Sequence, residues 1–431
     1  MDLDFSEEQD MLRTMVRGVC ADVAPLTVVR EMEDDATGYP ADLWKQLGEL
    51  DLIGLLIPEE FGGSGMSMLE GAILYEELGR ALAPTPHFVS AVLGAGVLLA
   101  GGSDEQKAAW LPSVARGEVV LSTAWLEPDR GFGVRGIATT ASSSDDGGYV
   151  LSGVKRHVPF AAAADRLVVL ARTGDTRSSA DVALFLVDPH ADGVSLEQEF
   201  SVASDTQYRV RLDDVRVSGA DRIGDADWST WDEVMHDGII LLAAQAIGGA
   251  RYALEITNQY AKDREQFDKP LGAFQAIAHY LADAKTNVDG GTLLVYEAAW
   301  ARAEGRSVAR LAPMAKLFAC QTFRDVTAMG EQVFGGVGFT LEYDIQLYFR
   351  RAKQLQISWW NDRYLEELIA AEVLDGAAAA GDDVTGFLFE NPLGLGPSAN
   401  TPPVGLGPQQ DLTTAFEPER TRYKPTSGKM A

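Results

Sequence analysis

Two groups of residues in this sequence have the types and spacing to hold a phosphorylated ligand. Arg264-Glu-Gln-Phe267 is followed by Phe274-Gln275, and Gln332 precedes Gly335-Gly336-Val-Gly338. Adjacent phosphates call for a guanidinium fork and amide donors, and glycine lets a backbone come close to a ligand. Taken singly, Arg264 is also what an exposed helix carries, and Gln332 with Gly335 and Gly336 is also what ends a helix. Groups able to move a proton are scattered. Asp237, His236 and Asp362 are the candidates, and the last two suit a solvated or capping position equally well. His87, His157, His190, His236 and His279 follow no metal-ligand spacing, and no Ser/His/Asp order is legible.

The elements that must position these residues fall into three blocks and a tail. Ser6-Glu7-Glu8-Gln9 is a capping box, followed by Leu12, Met15, Val16, Val19 and Val23 at helical spacing. A second helix is expected from Pro40, burying Leu43, Trp44, Leu47 and Leu50, a third over Met68 to Leu82, and a fourth capped by Ser103 and ending near Gly117. From about Glu118 the period changes to short β-rich runs at 119–125, 149–154, 167–171, 182–187 and 208–212, separated by Gly, Asp and Ser clusters. Helical spacing then returns over 231–262, 273–302, 311–333 and 345–371. The expected domains are 1–117, 118–226 and 227–376. The remaining stretch 377–431 holds seven of the 18 prolines and a near-repeat of Pro392-Leu-Gly-Leu-Gly-Pro397 at 403–408, which suits a mobile tail or an arm laid over a partner.

Composition narrows the function classes. A chain of 431 residues, 46% hydrophobic, can bury a large core. Its formal net charge of −28 repels phosphate backbones and anionic lipid, so neither nucleic acid nor membrane is expected as a partner. Cys20 and Cys320 sit in apolar helical patterns and read as buried reduced thiols, in keeping with the cytoplasm. The acidic N-terminus lacks the basic region of a secretory signal, and no apolar run was expected to reach the roughly 18 to 20 residues that span a bilayer.

Over about residues 1–376 the sequence resembles the flavin-dependent acyl-CoA dehydrogenases. The Gln332/Gly335/Gly336/Gly338 turn with Phe349, Arg350 and Ala352, together with Arg264-x-x-Phe267 and Gln275, carries the resemblance. It implies an α+β multidomain fold: an N-terminal helical domain, a middle β-barrel domain and a C-terminal four-helix bundle. It also implies FAD, with Arg264, Phe267, Gln275, Gln332, Gly335 and Gly336 at the pyrophosphate and adenine end of the cofactor of a neighbouring subunit. Asp268 stands where the family has glycine.

Other family features are missing. Nine residues beyond Arg350, the usual catalytic glutamate position holds Trp359 in Ser358-Trp359-Trp360-Asn361, and the alternative position, 26 residues before Arg264, holds Gly238. Asp237 is adjacent, but one helical residue turns a side chain by about 100°. In the motifs that hold the flavin ring at home, Glu127, Pro128 and Lys155 persist, while Leu126, Phe132 and Pro159 replace small hydrogen-bonding residues.

The donated half of the FAD site is thus kept and the home half is eroded. This pattern resembles the non-catalytic subunit of heteromeric actinobacterial acyl-CoA dehydrogenases, including those of steroid side-chain breakdown. The expected function is a subunit of an enzyme that α,β-desaturates an acyl-CoA thioester, in an α2β2 complex with a catalytic paralogue. Two alternatives stand beside it: a self-sufficient homotetrameric dehydrogenase with a displaced base such as Asp237, and a non-redox protein that binds acyl-CoA or a partner.

Overall fold

The computed structural model describes residues 5–175 and 178–375; the stretch expected to be a tail lies outside them. The chain opens on α1 (Glu7–Val23), whose capping box joins Ser6 and Gln9. A short α2 (Leu26–Glu31), which helical spacing alone did not reveal, precedes α3 (Ala41–Glu49), where Pro40 is the N-cap and Leu50 stays exposed rather than buried. α4 (Met68–Ala81) follows, then a π-helical turn at Phe88–Gly94 that runs into α5 (Ala95–Gly101), and α6 (Asp104–Ala115), again with a capping box, between Ser103 and Gln106. α1 is tied to α4 through charge as well as apolar packing. Arg17 donates to both oxygens of the buried Glu77, over 2.8 and 2.6 Å.

The middle of the chain is a curled sheet of β1 (Leu121–Ala124), β2 (Thr140–Ser143), β3 (Tyr149–Pro159), β4 (Arg166–Arg172), β5 (Val182–Val187), β6 (Val194–Glu199) and β7 (Gln207–Val217), in the order β1-β4-β2-β3-β7-β6 with β5 on β4. β1 and β4 pair in parallel, while β3 and β7 form a long antiparallel ladder with two register shifts. Inward residues such as Leu151, Leu167, Phe185 and Val210 make its own small core. β2 and β6 escape the sequence reading because they are short and polar, with at most alternate residues turned inward.

The third block is helical: α7 (Trp228–Asp263), then a two-residue hairpin of β8 (Glu265–Gln266) and β9 (Lys269–Pro270), α8 (Gln275–Ala303), α9 (Leu311–Phe334), α10 (Ile345–Ile357) and α11 (Asp362–Ala370). α7 contains an apolar stretch long enough to cross a bilayer, of mean hydropathy 1.4, contrary to expectation; 72% of that stretch is buried against its neighbours, as in a core helix. α4 and α7 cross at backbone distance. A Cβ on Gly248 would lie 1.8 Å from the Glu76 carbonyl oxygen, and one on Gly79 2.0 Å from that of Gln245. The single helix expected over 345–371 is broken into α10 and α11. Ser358 is extended, Trp359 and Trp360 both have positive φ (53° and 71°), and the Asn361 side chain caps the new start by accepting from Tyr364 N.

Candidate functional site

The break between α10 and α11 packs against α9, and one buried cation holds it. Lys316 of α9 is fully buried, and its Nζ donates to the carbonyl oxygens of Leu355, Ser358 and Trp360 at 3.0, 3.0 and 2.9 Å. These are carbonyls that the end of α10 leaves without helical partners. Burial pushes the Lys316 pKa down. Gln321 and Gln356 both donate to Asp362 Oδ2, at 3.2 and 2.7 Å, so Asp362 serves the start of α11.

Held in this way, Trp359 meets Phe88 edge to face at 4.9 Å between ring centroids and stacks on Trp125 at 6.4 Å with 15° between planes. Trp125 in turn meets Trp231 at 5.4 Å and Phe132 at 6.0 Å. Gly238 on α7 faces the same cluster: a Cβ there would stand 3.0 Å from Leu93 and 3.2 Å from the Phe88 ring. Trp359 and Gly238, far apart in sequence, therefore border a single aromatic plug built around Phe88. An indole offers no acceptor for a proton from carbon.

The nearby ionisable groups are engaged elsewhere. Asp237 turns to α8, where Arg302 Nη2 donates to Oδ2 at 2.8 Å and Nε lies 2.7 Å from Oδ1; burial raises the Asp237 pKa and Arg302 counters part of that rise. The His236 Nδ1 lies 2.8 Å from the Asp232 carbonyl oxygen, and its ring packs on Trp360. Asp205, a carboxylate that sequence reasoning missed, accepts from Ser201 and Gln207 at 2.5 and 3.1 Å. It sits in a loop between strands with no spacing signal to mark it. Among the described residues no group of three or more His, Cys, Asp or Glu is gathered as a metal site.

Two spaces adjoin the plug, and Pro159, Asp205, Gln354, Ser358 and Trp359 border both. The larger, a cleft of about 600 Å³, has Leu126, Phe132 and Pro159 on its wall. Its frame is Glu127, which accepts from Ala138 N and Thr139 N and pairs with the fully buried Lys155 at 2.7 Å. That pairing and the two amide bonds hold the Glu127 carboxyl below its ordinary pKa against the opposing effect of burial. Arg350 closes the same region by joining the blocks: it bonds Gln346 at 2.9 Å and the Val202 carbonyl at 3.1 Å, and pairs with Glu33.

The phosphate-type residues lie elsewhere, on the surface. Arg264, Gln275, Gln332 and Gly336 are exposed, and Phe267 is 87% exposed at the tip of the β8–β9 hairpin. Phe267 and Asp268 both have positive φ (55° and 61°), as a two-residue hairpin turn requires. Gly335 ends α9 at φ 66°, ψ −146°, a conformation that a side chain would strain, and among the described residues nothing lies within 4 Å of where a Cβ would point on Gly335 or Gly336. Among the described residues, nothing covers Arg264, Phe267, Gln275 or Gly336.

Comparison with known proteins matches three family models in chain order: acyl-CoA dehydrogenase N-terminal domain over residues 6–118, middle domain over 122–215 and C-terminal domain over 228–374. A probable acyl-CoA dehydrogenase of Bacillus subtilis, YngJ, is 32% identical over 383 residues, covering 87% of this chain and all of that one. Butyryl-CoA dehydrogenase from Megasphaera elsdenii superposes with a TM-score of 0.81 at 27% identity, over 87% of this chain and all of that one. A chain of the ChsE4-ChsE5 complex from Mycobacterium tuberculosis gives 0.78 at 28% identity, over 86% and 98%. With all three domain models matched and full-length relatives of the same architecture, the chain belongs to the acyl-CoA dehydrogenase family, a family of flavoprotein oxidoreductases.

Proposed function

We propose that this chain is the non-catalytic subunit of a heteromeric acyl-CoA dehydrogenase. It lends Arg264, Phe267, Gln275, Gln332, Gly335 and Gly336 to the pyrophosphate and adenine end of the FAD of a catalytic paralogue, in an α2β2 complex that α,β-desaturates an acyl-CoA. The observation that carries this reading is the plug. Trp359 packs between Phe88 and Trp125, and Gly238 backs onto the same Phe88, so neither position bears a carboxylate.

The chemistry of the donor sets supports the division of labour. On the outer face a guanidinium, two side-chain amides and an open glycine turn suit phosphates. In the home cleft Leu126, Phe132 and Pro159 present no hydroxyl, and proline has no N–H, so this wall does not fit the polar edge of a flavin ring. The heteromeric ChsE4-ChsE5 complex, named for two different chains, is a precedent among structural neighbours. Asp237 pairs with Arg302 of α8 and lines neither space beside the plug, which counts against it as a displaced base. Two free buried cysteines and an acidic surface suit a cytoplasmic enzyme.

The test is flavin stoichiometry by absorbance after denaturation, on the chain alone and after co-expression with a dehydrogenase paralogue. Little flavin alone and about one FAD per unlike pair is the expected result. One FAD per chain when purified alone would overturn the proposal.

A further inference from the structure

The second space beside the plug, about 140 Å³, has room for more than one water. An engineered apolar cavity of about 150 Å³ takes benzene, so this one holds roughly six non-hydrogen atoms. Phe88, Leu242, Phe323 and Leu355 make one side of it apolar. One guanidinium faces them. Arg351 lines the chamber, and its side-chain hydrogen bond among the described residues is a long one, 3.5 Å from Nη1 to Gln354 Oε1.

The neighbouring carboxylates are held by other partners. Arg350, next in sequence, takes Glu33, and Asp205, which borders the chamber, accepts from Ser201 and Gln207. No described carboxylate forms an ion pair with Arg351 within 4.0 Å. Burial opposes its charge, and Asp205 and Glu33 only partly restore it from a distance. A half-buried guanidinium with no described carboxylate in contact is costly unless an anion completes it.

We propose that this chamber binds a short aliphatic carboxylate of about four carbons, filling roughly the volume that benzene fills in a comparable cavity. The carboxylate meets the Arg351 fork and Gln354, and the chain lies against Phe88, Leu242 and Phe323. The ligand class is the free acid rather than its thioester, since the charge is what Arg351 recognises. The site does not depend on the subunit role proposed above, because it needs only the chamber beside Trp359.

Isothermal titration of the full chain with butyrate, butyramide, acetate and inorganic phosphate tests it. Butyrate should bind once per chain, with butyramide weaker by about tenfold or more for want of a charge, and acetate and phosphate weaker for want of a matching chain. Arg351→Met should abolish the preference for butyrate over butyramide. If that variant does not fold, the ligand series on the unaltered chain decides alone. Equal binding of butyrate and butyramide, phosphate binding as tightly as butyrate, or no butyrate binding at millimolar concentration would each overturn the proposal.

Discussion

Lys316 Nζ lies 2.9 Å from the carbonyl oxygen of Trp360, and the same ammonium reaches Leu355 and Ser358. A cation with no described carboxylate in hydrogen-bonding contact thus fixes a loop of two left-handed tryptophans. Lys316→Met keeps the bulk and removes the donor, leaving buried carbonyls unsatisfied. Urea unfolding should show a loss of about 3 to 5 kcal/mol; a loss below about 1 kcal/mol would mean that the loop is held by packing alone.

The buried His87 gives the protein a predictable acid sensitivity. Its ring sits between the Tyr75 hydroxyl at 2.9 Å and the Leu52 carbonyl at 3.0 Å, and burial pushes its pKa down from 6.5 to about 4. Because the folded value lies below the unfolded one, the unfolded chain takes up the extra proton between them, and stability falls as pH drops through that window. From pH 7 to pH 5 this group alone should remove about 2 kcal/mol. Denaturant midpoints for the unaltered chain and for His87→Gln, compared at both pH values, isolate its share; identical pH dependence in the two would refute it.

Arg264→Ala should separate binding from folding. The side chain is exposed, so the stability of the isolated chain should change by less than about 0.5 kcal/mol. Flavin occupancy of the mixed complex should nevertheless fall severalfold, as expected when a charge-assisted phosphate contact is lost. Unchanged occupancy in a well-folded complex would remove Arg264 from the cofactor site.

Trp359→Ala removes the ring that stacks on Trp125 and meets Phe88. The loss should be about 3 kcal/mol from vacated packing, slightly reduced if the remaining cluster closes on the gap. Near-ultraviolet circular dichroism should lose intensity where coupled indoles absorb. Retention of both the spectrum and the stability would show that the plug tolerates a hole.

The parts of the fold legible in sequence are those set by local chemistry. Ser6 with Gln9 and Ser103 with Gln106 announced two helix starts because a capping box is a contact between near neighbours. The β-rich runs were legible where both faces are covered, as in β4 and β5, and missed at β2 and β6, where few side chains are buried. Breaking 345–371 at two tryptophans needed Lys316, which is some forty residues earlier and meets them only in the folded chain. The same holds for the site. The motif arginine, glutamines and glycines could be read by spacing, whereas the joint role of Trp359 and Gly238 around Phe88 exists only in three dimensions.

The π-helical turn at Phe88–Gly94 makes that meeting a matter of register. Such a turn carries an extra residue relative to an α-helix. Beyond it the chain is pinned, since a Cβ on Gly101 would lie 2.6 Å from the Ala226 side chain. Removing one residue between Ser90 and Gly94 would rewind the turn and swing Phe88 by about 100° relative to α5, away from Trp359. A single codon deletion there would undo the plug without touching any of its tryptophans.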